Sequence, residues 1–335
     1  ATEAAQQAAT EAATAAEALV PVSSVSTHGQ TWMSASTAES GVWKSVAYGN
    51  GVWVAVSDVS SSELSNVMRS TDGGVTWLGI GWSGVDAAWE SVAYGDGVWV
   101  AVASYDRPWE SEAVSLVMRS TDDGLTWSEV VAGPDSSGDG WTSVAYGNGV
   151  WVAVGWGRAM HSTDKGESWT AVPDIDRSEW KSVAYGNGVW VAVSNDRGWE
   201  DSSPVMRSID DGKTWTPVAD AESNQWQSVA YGNGVWVAVA DSRTNQVMRS
   251  IDNGETWTAS ASPEETTWQS VAYDNGVWVA VANSGTNQVM RSIDNGETWT
   301  AVPDAETGQW LAVANGDGVW VAVANEGTNR VMRST

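Results

Sequence analysis

A single unit returns seven times along this chain: W-x-S-V-A-Y-G-N-G-V-W-V-A-V, a variable stretch, then V-M-R-S-x-D-x-G-x-T-W. Its period of about 42 residues constrains the fold more than the chain length does, because one small supersecondary unit cannot bury its apolar face alone. The tryptophans count the copies. Each unit uses three, as in Trp43, Trp53 and Trp77, and seven units take 21 of the 25. Trp82, Trp109, Trp156 and Trp199 remain.

Within a unit, Ser-Val-Ala-Tyr reads as a first strand, A. Gly-Asn-Gly follows, and both residue types accept the positive φ that a tight hairpin demands. Val-Trp-Val-Ala-Val is strand B, whose near-continuous apolarity fits a strand covered on both faces. Val-Met-Arg-Ser is C, and Thr-Trp opens D. The expected fold is all-β: a seven-bladed propeller of four-stranded antiparallel blades. Phe is absent, so Trp and Val must supply most of the core.

The two ends of the repeat explain each other. The last unit stops at Val331-Met332-Arg333-Ser334-Thr335, a C strand without a closing Trp. Ser26-Thr27-His28-Gly29-Gln30-Thr31-Trp32 is a degraded C–D turn with no C strand before it. An N-terminal strand is therefore expected to complete the last blade and remove an open sheet edge. Ahead of it, residues 1–20 are Ala-rich without Gly or Pro, and Pro21 follows. This reads as a short N-terminal α-helix. Ala1, Ala5, Ala8, Ala12, Ala15 and Leu19 follow heptad-like steps over a short span, so a solvated helix and an anchor both stay open. The expected division is 1–22 for the helix and 23–335 for the propeller. Ala1 fits either initiator-Met removal or trimming, and the start lacks the pattern of an intact signal peptide.

A net charge of -26 argues against nucleic-acid binding, since no basic stripe is present to meet phosphates. No stretch is apolar enough for membrane insertion as a helix. No Cys is present, so no disulfide is expected, and His and Cys show no metal-ligand spacing. Neither a cofactor nor a metal is expected. Catalysis is not expected either: His28 and His161 are the only histidines, both at degenerate repeat positions, and no carboxylate pair stands apart. The strand-C arginines (Arg69, Arg119, Arg207, Arg249, Arg291 and Arg333) occupy equivalent places around a ring. They are expected to pair locally rather than converge on one ligand.

Loop lengths single out one face. A–B and C–D turns share one side of a propeller and are nearly invariant here. B–C and D–A connections share the other. B–C spans 57–66, 103–116, 155–158 and 194–204 in blades one to four, then settles to seven residues in 240–246, 282–288 and 324–330. D–A connections 78–88 and 128–140 are long as well. The four spare Trp lie on this face with Tyr105. Asp106-Arg107-Pro108-Trp109-Glu110 and Asp196-Arg197-Gly198-Trp199-Glu200 share a motif, and Trp156 lies beside Arg158. The candidate ligand-binding set is Trp82, Tyr105, Arg107, Trp109, Glu110, Trp156, Arg158, Arg197, Trp199 and Glu200. Such Trp, Arg and carboxylate groups stack on sugars or anchor protein interfaces. The same Trp could fold back over their own loops.

The turn Ser250-Ile251-Asp252-Asn253-Gly254-Glu255-Thr256-Trp257 resembles the Asp-box of sialidase-type propellers, which is specific for a hairpin and not for an activity. The whole unit, with the Ala- and Glu-rich segment ahead of it, resembles repeats of bacteriophage tail-fibre and virion appendage proteins. There the strand-B aromatic is often Phe; here it is Trp. The resemblance implies a non-enzymatic attachment or decoration protein at the virion surface or otherwise extracellular. It implies that residues 1–20 dock on other virion proteins or form a homo-oligomer, and that the loop face meets a host-surface glycan or protein. A free lectin-like binder, a glycosidase and a ligand-free structural cap are the alternatives.

Overall fold

A computed structural model describes residues 27–35, 41–58, 65–81, 87–104, 117–130, 140–173, 175–195, 202–218, 221–242, 245–327 and 329–335. The expected helix over residues 1–20 and the boundary at 22/23 lie outside these residues. The described chain forms seven four-stranded antiparallel sheets, each in the order A-B-C-D. In blade five the strands are Trp226–Gly232, Val235–Ala240, Val247–Ser250 and Thr258–Ser260. Strand A of every blade lies against strand A of both neighbours, so the A strands ring the axis.

Strand B is the centre of each blade, and in blade five all six of its residues are buried. Its alternation divides the work between two faces. Val189, Val191 and Val193 of blade four pack with Trp236, Ala238, Ala240 and Met248 of blade five in one cluster. One blade thus offers branched aliphatic side chains to the indole-bearing face of the next. The strand-B tryptophans are fully buried in every blade, for example Trp53, Trp99 and Trp236. Truncating such a Trp to Ala typically costs about 3–5 kcal/mol.

A second contact repeats nearer the axis. Each strand-A Tyr lays its ring over the Gly that ends strand A of the preceding blade. A Cβ on Gly186 would stand 2.0 Å from Cγ of Tyr231, so only Gly fits there. Tyr231 also packs on Trp236, with ring centroids 4.9 Å apart. The next blade is tied by its backbone as well: Val271 N–H donates to Ser228 Oγ at 3.2 Å. Between blades six and seven the first contact is rewritten on both sides at once, Asp274 replacing the Gly and Asn315 the Tyr.

The turns follow the sequence reading. Asn233 and Gly234 take φ of 51° and 80°, the pair of left-handed residues that a two-residue hairpin requires. In the C–D turn of blade five, Ser250 Oγ donates to Asp252 Oδ1 at 2.7 Å and accepts from Gly254 N–H at 2.9 Å. Thr256 donates to Asp252 through its amide and hydroxyl at 3.0 and 2.5 Å, and Trp257 Nε1 donates to Gly254 O at 3.2 Å. Burial pushes the Asp252 carboxyl up, but hydrogen bonds from Thr256 and Ser250 outweigh it and hold the pKa below the ordinary Asp value. Asp164, held the same way by Ser168 and Ser162, is drawn down to about 2. A depressed folded-state pKa stabilises the fold above the ordinary Asp value. That contribution fades as pH falls through the folded one, here toward about 2.

The N-terminal segment closes the ring. Met33 and Ser34 pair with Arg333 and Met332, and Ala35 N–H donates to Val331 O at 2.9 Å. Trp32 Nε1 donates to Gly29 O at 3.0 Å, the bond Trp257 makes in blade five. His28 Nε2 lies 2.6 Å from Gly318 O, and Trp320 Nε1 donates to His28 Nδ1 at 3.3 Å.

Candidate functional site

The long loops of the expected binding face place Trp82, Tyr105, Arg107, Trp109, Glu110, Arg197, Trp199 and Glu200 outside the described residues. Trp156 and Arg158 are described. Strands B and C of blade three, Val150–Gly155 and Arg158–Ser162, leave only Trp156 and Gly157 between them. Gly157 takes φ of 60°, and Trp156 stands at the tip, 45% exposed. Arg158 turns the other way, its guanidinium 5.5 Å from the ring centroid of Trp141, a cation–π contact within blade three.

Trp156 does not stand alone. It forms an antiparallel bridge with Glu179 at the entry to blade four, and Gly157 N–H donates to Ser178 O at 2.9 Å. The Glu179 carboxylate meets Lys181 Nζ at 2.5 Å and accepts from Asn195 Nδ2 at 2.9 Å. A half-exposed indole is thus followed, toward the axis, by a carboxylate, an amide and an ammonium.

Lys181 belongs to a ring that the sequence reading passed over. In every blade the A–B pairing shifts register between the opening Trp and the residue two further on, Ser in six blades and Ala312 in the seventh, a β-bulge. The bulged residue is the x of W-x-S, and it varies: Lys44, Glu90, Thr142, Lys181, Gln227, Gln269 and Leu311. Since strands A surround the axis, these side chains ring its loop-face end. Neighbours touch: Lys44 Nζ lies 3.5 Å from Glu90 and 3.4 Å from Asp58, and Thr142 Oγ1 donates to Trp180 O at 2.6 Å. Gln227 Nε2 donates to Asp241 at 2.9 Å. The signal in the sequence was variability at one position inside an otherwise constant strand.

The opposite, turn-bearing face is less plain than its constant sequence suggests. The strand-C arginines reach from one blade to the C–D turn of the next. Arg119 meets Glu167 and Arg207 meets Glu255, both at 3.2 Å, and Arg249 lies 3.9 Å from Glu297. Arg69 and Arg333 donate to Asp123 O and Gly73 O at 3.3 and 3.0 Å. Local pairing, as expected, accounts for these five. His161 stands where blade three would have its Arg; burial and then Lys213 lower its pKa. Ile209, Ile251 and Ile293 project from the turns of blades four to six and are 72%, 70% and 53% exposed.

Among the described residues no group of three or more His, Asp or Glu side chains is placed to hold a metal, and no helix is long and apolar enough to cross a membrane. No protein-family model matches the chain, and no curated protein matches it in sequence. Solved structures do match in shape. A structure of YCF48 bound to D1 peptide is 16% identical with a TM-score of 0.66, covering 91% of this chain and 94% of that one. YCF48 from Cyanidioschyzon merolae is 16% identical with a TM-score of 0.65, covering 90% and 98%. The GH74 enzyme of Niastella koreensis is 14% identical with a TM-score of 0.60, and the match covers 88% of this chain and 43% of that one. At such identities the likeness is one of fold: this chain is a seven-bladed β-propeller with four-stranded blades.

Proposed function

We propose that this protein is a non-enzymatic attachment propeller that binds a glycan or protein on its loop face. The observation that carries this reading is the path from exposed Trp156 through Glu179 to Lys181 and the bulge ring. An indole face, a carboxylate, an amide and an ammonium within one continuous patch suit a polyhydroxyl ligand, where stacking and hydrogen bonding act together. The finer reading follows the repeat's resemblance to virion appendages. The propeller is displayed at a virion surface or otherwise extracellularly, and residues 1–20 join it to other virion proteins or to further copies.

A broad glycan array probed with the intact protein and with Trp156→Ala and Lys181→Ala tests the reading. Intact protein is expected to bind a restricted set of sugars, with at least tenfold loss in each variant at unchanged melting temperature. Binding that survives both substitutions, or no binding by the intact protein, overturns the glycan reading of this patch. A second reading, a peptide-binding propeller, is favoured by the similarity to a propeller solved with a bound peptide. The same variants probed on a peptide array separate the two.

A further inference from the structure

Three exposed isoleucines on the turn face are aligned rather than scattered. Ile209, Ile251 and Ile293 stand at one position, the x of S-x-D, in three consecutive blades, and all project into solvent. Blades one to three carry Thr71, Thr121 and Thr163 there. Thr is β-branched as well, so the turn itself does not ask for Ile. Single exposed apolar residues need no explanation, but an aligned row on an acidic surface marks a contact. The row runs along the turn face from blade four to blade six, and the N-terminal strand meets it at its end. Gln30 and Thr31 border the same cavity as Ile293, about 520 Å³ between blades six and seven. His28 spans that junction, with Nε2 2.6 Å from Gly318 O in blade seven and Nδ1 3.9 Å from Asp274 in blade six. Residues 1–20 are thus delivered to the blade-six end of the row, and residues 21–26 form a tether reaching at most about 20 Å.

We propose that this isoleucine row seats the chain's own residues 1–20, docked as a helix with its alanine face down. Helical periodicity sorts that sequence into two faces. Ala1, Ala5, Ala8, Ala12, Ala15 and Leu19 share one, and Glu3, Gln7, Thr10, Thr14 and Glu17 the other. A face of small side chains lets protruding Ile side chains sink close to the helix backbone. Twenty helical residues extend about 30 Å and are marginal alone. The row supplies the apolar partner that such a helix lacks, and the short tether gives a high effective concentration. Charge cannot carry the contact. Residues 1–20 hold three Glu and no Lys or Arg, and the whole chain has a net charge of -26. Arg207 and Arg249 beside the row already meet Glu255 and Glu297. Apolar burial must therefore outweigh repulsion. The docked state belongs to the free chain and does not rest on the assembly role proposed above, which would draw the same segment off the row.

The chain has no Cys, so Thr10→Cys on the polar face accepts a single nitroxide label in the full chain. It has five isoleucines, and Ile80 and Ile175 lie off the row, so isoleucine methyl NMR carries its own controls. The label is expected to broaden the methyl signals of Ile209, Ile251 and Ile293, at any dilution, and to leave Ile80 and Ile175 sharp. Spin-labelled chains without isotope, mixed with isotope-labelled chains without spin label, are expected to cause no broadening. Raising the salt concentration should strengthen the effect, because screening removes repulsion. Ala8→Glu with Ala12→Glu keeps good helix formers but charges the docking face, and should abolish the broadening at unchanged melting temperature. Ile251→Thr with Ile293→Thr, the residue of blades one to three, should release Ile209 from broadening in the same way. No broadening on the row, equal broadening of all five isoleucines, broadening that survives Ala8→Glu with Ala12→Glu, or weakening by salt would each overturn the proposal. Broadening in the mixed sample would overturn it too, by giving the row to a second copy.

Discussion

Blade five and blade seven have the same strand order and the same buried strand B, yet they are held by different means. Blade five is one continuous stretch, and its C–D turn ties Ser250, Asp252, Gly254 and Thr256 into one hydrogen-bonded knot. Blade seven is assembled from the two ends of the repeat. Its turn has Thr27 where blade five has Asp252, and Ser334 where blade five has Ser250. Its strand A carries Ala312 at the position of the serines that accept the next blade's backbone N–H. Packing survives what the turn loses: a Cβ on Gly29 would stand 3.0 Å from Val279, as one on Gly254 would from Val191. The comparison separates two kinds of glue. Interdigitated side chains specify the ring, and the turn's polar knot is a local addition to it.

Blade seven depends on an N-terminal segment that no other blade borrows. Deleting residues 26–36 strips strand D from that blade and uncovers its C strand. Blades one and six each lose a packed neighbour too, so the damage should spread around the ring. The expected result is loss of one cooperative thermal transition for the whole molecule by near-ultraviolet circular dichroism, which reads the buried tryptophans. An unchanged melting curve would mean that blade seven closes without its fourth strand.

The junction of blades six and seven allows a finer cut. Everywhere else Tyr sits on Gly; here Asn315 faces Asp274. Asn315→Tyr alone drives a ring onto a residue that has a Cβ, and overpacking of this kind costs about 1–3 kcal/mol. Asp274→Gly alone leaves space and should cost less than that. The double variant rebuilds the contact seen at the six other junctions and should exceed the sum of the singles in stability, with a coupling of about 1–3 kcal/mol by urea denaturation. Additive singles would show that the two positions are not energetically coupled.

These features were unequally legible in the sequence. The period, the hairpin turns and the closing N-terminal strand follow from local chemistry, because Gly and Asn mark positive φ and an unpaired strand needs an edge. The Asp274 and Asn315 departures were visible as letters, but their contact spans two blades and needs the direction in which one blade leans on the next. The bulge ring was hidden for a related reason. A register shift is a property of paired strands, so Lys44, Glu90 and Lys181 read as ordinary strand residues until the pairing is known.

The smallest effect is the sharpest contrast between the two blades. Ser250 Oγ donates one hydrogen bond and accepts two within its turn, so Ser250→Ala removes three bonds and leaves part of Asp252 unsatisfied. A loss of about 1–2 kcal/mol is expected. Ser334 occupies the same position in blade seven and is fully buried, yet its hydroxyl has no hydrogen-bond partner among the described residues. A buried, unsatisfied hydroxyl carries its desolvation cost without return. Ser334→Ala should therefore leave stability unchanged or raise it by about 0.5–1 kcal/mol, because exchanging an orphaned polar group for a methyl relieves that cost. The pair is measured under identical urea denaturation conditions. If Ser334→Ala costs as much as Ser250→Ala, the split turn holds a polar knot of its own, and the division between packing and turn chemistry drawn from blade seven fails.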